Sequence, residues 1–283
     1  MSAQAGTFFI EGIAFWAPTL PGWPLARAAF RGEAEPLAVA AKRPAPELLA
    51  AAERRRAPDT VALALEVAAA AVRESGRAAD ALPSVFTSAQ GDLGVNDYMC
   101  ATLATQPMAI SPTKFHNSVH NAAAGYWTIA TGCREASTAL SAFDASFAAG
   151  LLDAAVQCQA DARAVLLVAF DVEAVGALGS VTASKGLLAC AMVLAPSANE
   201  RTIAAFEWSL ASGPTQAPAY RSAAARTLAG NAMADALPML EAIAIDAATS
   251  SEQVPALALR LSRNLAMVLE PAAFAAGAAE AGR

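Results

Sequence analysis

The chain has 283 residues, 56% hydrophobic and 16% charged, with 19 Lys and Arg against 25 Asp and Glu for a net charge of −6. That composition excludes a disordered chain and supplies a substantial core, while an isoelectric point near 5.0 leaves no global cationic field to gather nucleic acid or anionic lipid. Mean hydropathy is +0.39, yet the longest apolar stretches, residues 61–72 and 186–195, are interrupted or fall short of the ~20 residues of a membrane span.

The N-terminus carries no basic segment, and Glu11 interrupts its only apolar run, so it does not read as a secretory signal and a cytoplasmic protein is expected. Residues 7–15 alternate and branch like a strand, an opening edge or hairpin, and Pro18, Pro21, Gly22 and Pro24 stop it. The basic stretch 42–56 reads as a solvated helix end with a loop. A helix from Pro58-Asp59-Thr60 to Glu74 has small and aliphatic residues on nearly every face and is therefore buried on several sides. Residues 83–88 form a short buried strand, residues 90–94 a turn at its carboxyl end, and residues 95–104 a helix.

After the Ile110-Ser111-Pro112 loop, residues 117–131 read as a small-residue helix ending at Gly132. A short segment through 137–140, a helix over 141–151 and a strand over 154–159 follow, alternating as in a parallel α/β sheet. Further strands are expected over 163–170, 186–195 and 202–209. Beyond the bridge at 212–218 come helices over 223–234 and 237–244 and a strand over 265–269, and the C-terminal run is expected to fray. No solenoid period is visible.

Few residues offer chemistry. His116 and His120 are the only histidines, spaced like a helical metal pair, but no glutamate lies between them and no third ligand is near, so they read as packing or hydrogen-bonding groups near a helix start. Gly91 and Gly94 lack the spacing of a phosphate loop. Ser184-Lys185 is too common a pair to argue a nucleophile. Cys100, Cys133, Cys158 and Cys190 form no C-x-x-C pair, which suits reduced, mostly buried thiols and no metal site. No cofactor is expected.

The informative stretch is residues 110–152, ISPTKFHNSVHNAAAGYWTIATGCREASTALSAFDASFAAGLL. Pro112, Asn121 nine residues on, Ala124-Gly125 and Gly132 keep the spacing of an Ile-Ser-Pro-like loop, an asparagine, an Ala-Gly pair and a helix ending in glycine. In these residues the chain resembles the N-terminal half of β-ketoacyl synthases, the thiolase-fold condensing enzymes, and more loosely so over residues 7–210. The resemblance implies an α/β fold with a mixed five-stranded core sheet covered by helices, an N-terminal half at 1–211 and an abbreviated portion at 212–283 packed on the same core.

That family carries a nucleophilic cysteine at a strand-to-helix elbow. Here Thr138-Ala139-Leu140-Ser141 places Leu140 at the cysteine position, and no cysteine lies within six residues of it. The family's two later histidines are also missing, since none follows His120. Loss of all three resembles the β-ketoacyl synthase-like partners and chain-length factors, which imply a heterodimer with an active ketosynthase, access to acyl carrier protein through that partner, and no independent activity. The resemblance joins the dimer through the strand before the elbow, within residues 133–139 and including Ser137 and Thr138. It would set Phe115, Val119, Tyr126 and Trp127 beside the partner's acyl tunnel, where the alternative is that they are ordinary core residues. Two further readings stay open: an acyl-transferase or thioesterase using Ser141 or Cys133, and an acyl-binding homodimer.

Overall fold

Every residue of strand β1 (Gly6–Ala17) from Ile10 onward is buried, although the strand contains Glu11. A computed structural model of the chain describes residues 6–182, 184–214, 216–245 and 255–274; the run expected to fray lies outside the described residues from 275 onward. After β1 come β2 (Leu20–Pro21), α1 (Trp23–Phe30), α2 (Ala51–Arg56), α3 (Asp59–Ser75), β3 (Ser84–Thr87), α4 (Leu93–Thr105), α5 (Pro112–His116) and α6 (Ala122–Thr131). The chain continues through β4 (Ser137–Leu140), α7 (Ser146–Ala160), β5 (Val165–Asp171), β6 (Leu188–Ala195) and β7 (Ala204–Ser212). Helices α8 (Ala223–Leu228) and α9 (Leu237–Ala244) precede the hairpin of β8 (Leu257–Ser262) and β9 (Leu265–Pro271).

The strands make a single sheet in the order β4-β3-β5-β6-β1-β7-β9-β8, with β2 paired on β1. Strands β4, β3 and β5 run parallel and the remaining pairs antiparallel. The expected mixed five-stranded core is the run β4-β3-β5-β6-β1. The sheet does not stop there, because β7, β9 and β8 extend it to eight strands, and β2 on β1 makes nine among the described residues. β8 escaped the sequence reading because LALRLS carries an arginine and ends in serine.

Side chains alternate cleanly between the two faces. Leu167, Ala169, Cys190, Met192, Ile13 and Phe15 join a core with α1, α7 and α9, whereas Leu166, Val168, Ala191, Val193, Ala14 and Trp16 join one with α3 and α6. Strands buried on both faces read as continuous apolar runs, which is why β5 and β6 were legible from sequence. Helix α3, capped by left-handed Gly76, buries 11 of its 17 residues.

Two expectations fail. Strand β1 is not an edge: it lies between β6 and β7, and only its far end turns back as a hairpin. Residues 154–159 are not a strand but the second half of α7, where Ala154, Ala155 and Cys158 recur at helical spacing with no Gly or Pro to break the helix. The helix expected from residue 117 begins only at Ala122.

Glu11 owes its burial to a β-bulge. Pairing with β6 steps from Ile10 to Gly12, leaving Glu11 unmatched. Its carboxylate accepts from the Arg77 guanidinium through both oxygens and from Asn199 Nδ2, so the buried charge is paired and hydrogen-bonded. The next residue must be glycine, since a Cβ there would stand 2.2 Å from the Ala71 carbonyl oxygen of α3. Gly12→Ala should therefore cost about 1–3 kcal/mol of stability, measured as a drop in the urea midpoint; an unchanged midpoint would mean that α3 can move away from β1 freely.

Candidate functional site

Strand β4 is one edge of the sheet and, among the described residues, pairs only with β3. The Ser84 N–H donates to the Ala136 carbonyl at 3.0 Å and the Ser88 N–H to the Leu140 carbonyl at 3.3 Å. Residues 136, 138 and 140 thus face β3, and strand alternation turns the N–H and C=O of Ser137 and Ala139 outward. Beside that edge lies a groove of about 450 Å³ lined by His120, Asn121, Thr128, Ser137 and Ala139.

Leu140 is the last residue of β4, half-buried against the core. The corner that follows bends through Phe143, a non-glycine residue at φ 57°, before α7 starts at Ser146. Its hydroxyls are all committed to backbone. Ser141 Oγ donates to the Ala89 carbonyl at 2.6 Å, and Ser146 Oγ donates to the Phe143 carbonyl at 2.7 Å while accepting the Ala142 N–H at 3.0 Å. Phe143 itself is 61% exposed.

No thiol stands at this corner. The Cys133 thiol donates to the Leu82 carbonyl at 3.4 Å, at the other end of β3 and β4. Cys158 and Cys190 are buried in the core; burial pushes the Cys158 thiol up to about 12 and raises Cys190 as well, so both stay protonated. Cys100 is exposed on α4.

Behind the corner the segment between α8 and α9 fills the space at the strand ends. Asn231 Nδ2 donates to the carbonyls of Lys185 at 3.1 Å and Gly186 at 3.2 Å, and Ser184 Oγ accepts the Ala232 N–H at 3.2 Å, so the Ser184 hydroxyl is structural. Two buried carboxyls lie in this region. Asp171, at the end of β5, accepts from the Ala89 N–H at 2.7 Å and the Ser88 hydroxyl at 3.3 Å. Asp235 accepts from the Ala148 N–H in the first turn of α7, while its Oδ1 has no partner among the described residues. Burial pushes both carboxyls up to about 7, and the nearby charges of Asp144 and Asp171 add to the rise at Asp235.

The histidines do not share a helix. Helix α5 ends at His116, which meets the Tyr126 ring edge-on at 6.0 Å, and His120 Nε2 sits 3.0 Å from the Ser88 carbonyl oxygen in the turn before α6. Among the described residues no group of three His, Cys, Asp or Glu could hold a metal. Residues 90–94 are the expected turn, with Asp92 capping α4 through the Val95 N–H at 2.8 Å.

Of the proposed wall residues, Phe115 is 63% and Val119 53% exposed, while Tyr126 is half-buried. Trp127 must be withdrawn from that wall: at 1% exposure it belongs to the core with α3. Two residues on, about 200° around the helix, Ile129 is 82% exposed. Ser137 accepts from the Ser84 hydroxyl at 3.0 Å and Thr138 from Gln157 Nε2 at 3.3 Å. Sequence reasoning missed Phe143, Asp171, Asn231 and Asp235. A buried carboxylate closing an apolar strand, as in VLLVAFD, was the one available signal.

A family model described as the N-terminal domain of β-ketoacyl synthase matches residues 29–263. The chain belongs to that family. Its thiolase-like fold recurs in solved ketosynthase structures. A ketosynthase in complex with its chain length factor from Xenorhabdus doucetiae is 21% identical over 95% of this chain and 99% of that chain, with a TM-score of 0.67. The ishigamide ketosynthase/chain length factor is 17% identical over 94% and 99%, with a TM-score of 0.65. A type II polyketide ketosynthase in complex with its acyl carrier protein is 12% identical over 75% and 71%, with a TM-score of 0.59. No curated protein matches the sequence. Among the described residues no helix is long and apolar enough to cross a membrane.

Within this family member the two raised carboxyls carry a pH signature. The native state keeps protons that the unfolded chain releases above an ordinary value of 3.8, so their contribution to stability is full below that value and is lost as pH rises towards 7. Melting temperature should fall between about pH 4 and about pH 7, and Asp235→Asn should make that fall about half as steep. A profile unchanged by the substitution would mean that Asp235 is ionised throughout.

Proposed function

We propose that the chain is a non-catalytic, chain-length-factor-like partner of a ketosynthase, acting in the cytoplasm in polyketide, aryl-polyene or fatty-acid-type chain elongation. The observation that carries this reading is the β4–α7 corner. It has the form of a nucleophile elbow, strand, left-handed turn and helix start, but Leu140 and Phe143 offer no ionisable group and the serine hydroxyls are spent on backbone. An ordinary nucleophile also needs a base within hydrogen-bond reach. His120 is instead placed against the Ser88 carbonyl.

The reading gives β4 a second task. An unpaired strand edge invites association, as do the exposed side chains of Phe115, Val119 and Ile129 on α5, α6 and the turn between them, and covering both with a ketosynthase would satisfy the outward backbone groups and the apolar surface. Phe115 and Val119, with Tyr126 behind them, would then supply bulk next to the partner's acyl tunnel, and acyl carrier protein would be met through the partner. Residues 1–211 would provide this surface, with 212–283 closing the fold behind it.

The rival, an acyl-transferase or thioesterase using Ser141 or Cys133, is disfavoured by the short Ser141 bond to Ala89 and by the position of Cys133 at the far end of its strand. An acyl-binding homodimer would use the same edge and is separated by experiment. Purified alone, the chain should take no covalent label from an acyl thioester. Mixed with its cognate ketosynthase it should sediment as a heterodimer, and Ala139→Pro, which removes only an outward N–H, should weaken that complex while leaving the melting temperature nearly unchanged. Acyl labelling of the isolated chain, or no complex at micromolar concentration, would refute the partner role.

A further inference from the structure

The segment 88–91 that follows β3 ties together both sides of the groove beside β4. The Ser88 N–H reaches the Leu140 carbonyl at the end of β4, and the Ala89 carbonyl takes the Ser141 hydroxyl at 2.6 Å, so the strand and its corner are anchored to this segment. On the other side the Ser88 carbonyl oxygen lies 3.0 Å from His120 Nε2, two residues before α6.

The segment is itself held from within the fold. Asp171 accepts the Ala89 N–H at 2.7 Å and the Ser88 hydroxyl at 3.3 Å, and Ser88 Oγ accepts the Gly91 N–H at 2.9 Å. The imidazole of His120 packs over Gly91, where a Cβ would already be in van der Waals contact with its Cδ2 at 3.5 Å.

These contacts decide the state of the ring. A carbonyl oxygen only accepts, so the nitrogen against it carries the proton, and in a neutral imidazole the other nitrogen is then an acceptor. His120 Nδ1 meets no hydrogen-bond partner among the described residues. The ring is half-buried and lines the groove with Asn121, Thr128 and Ser137. Two neighbouring hydroxyls are engaged, Thr128 donating to the Gly125 carbonyl at 3.1 Å and Ser137 Oγ accepting from Ser84 at 3.0 Å. His120 thus offers an acceptor of fixed tautomer, and the segment that fixes it also fixes the end of β4. An acceptor placed in this way needs no reordering to meet a donor.

We infer that His120 Nδ1 accepts a hydrogen bond from an N–H or O–H of the ketosynthase that covers β4, and so takes part in choosing which ketosynthase is accepted. The inference rests on the partner role proposed above. It gives His120 a recognition task, with Nε2 committed to the Ser88 carbonyl and Nδ1 to the partner. A ketosynthase presenting a carbonyl or carboxylate at that place would set two acceptors against each other, which costs free energy in a covered interface.

Nitrogen NMR of the imidazoles, at mildly alkaline pH in the full chain with and without its cognate unacylated ketosynthase, reads both the tautomer and the new bond. His116→Gln tells the two rings apart. His120 should be the Nε2–H tautomer in both states, and its Nδ1 resonance should move as for an accepted hydrogen bond when the complex forms. His120→Gln keeps a donor for the Ser88 carbonyl and removes the acceptor, so it should melt like the parent and weaken the complex about tenfold. An Nδ1–H tautomer, an Nδ1 resonance unmoved in a complex that has formed, or full affinity of His120→Gln would overturn the inference. A shift that appears only once the ketosynthase is acylated would also overturn it, in favour of a contact to the acyl chain. Failure of the parent chain to form any complex is a different result: it would remove the partner role, and this inference would fall with it.

Discussion

Helix α7 occupies a slot that only a helix of small residues can enter. A Cβ on Gly150 would stand 2.7 Å from Thr87 Cγ2 of β3, and the buried face of the helix is Ser146, Ala148, Ala154, Ala155 and Cys158 around Phe147 and Leu151. Close approach puts α7 flush against the sheet, and the strands added after β7 then wrap its other side. Strand β8, last in the sheet order, returns to the corner that opens the helix, where the Arg260 guanidinium pairs with Asp144. The helix is thereby enclosed by the first and last strands of the same sheet, and the β4–α7 corner inherits its rigidity from both.

That rigidity accounts for how the corner keeps the form of an elbow with no ionisable side chain at Leu140 or Phe143. The left-handed turn at Phe143 is an unfavourable backbone state for a bulky residue. It is held by Ser146, which bonds the corner on both sides, and by Thr87, whose hydroxyl donates to the Ser146 carbonyl at 2.8 Å. None of these bonds needs a reactive group. The α7 N-terminus, whose free N–H groups would otherwise favour an anion, meets the Asp235 carboxyl instead. A site that retains the shape of an elbow while filling its electropositive end with a protein carboxyl is suited to packing against a neighbour.

Much of this architecture was legible in the sequence, and the exceptions have physical causes. Doubly buried strands such as LLVAF in β5 and ACAMVLA in β6 announce themselves as unbroken apolar runs, and α3 does so through its length and its Gly76 stop. Residues 154–159 misled because alanine-rich helices blur their own period. Leu140 was readable as the end of the strand, but the positive φ at Phe143 was not, since no glycine or asparagine marks it. Trp127 and Phe115 look equally bulky in sequence; only the docking of α6 on α3 decides that one is core and the other surface. Asp235 lies far from the corner in sequence, and nothing local signals that its carboxyl returns to α7.

The central claim is that the β4 edge exists to be covered by a ketosynthase. Amide hydrogen exchange, resolved to single residues in the chain with and without its cognate ketosynthase, tests it most directly. The account predicts that the outward amides of Ser137 and Ala139 become protected in the mixture, while Thr138 and Leu140, already facing β3, change little. Unaltered exchange at Ser137 and Ala139 in a mixture that demonstrably forms a complex would contradict it.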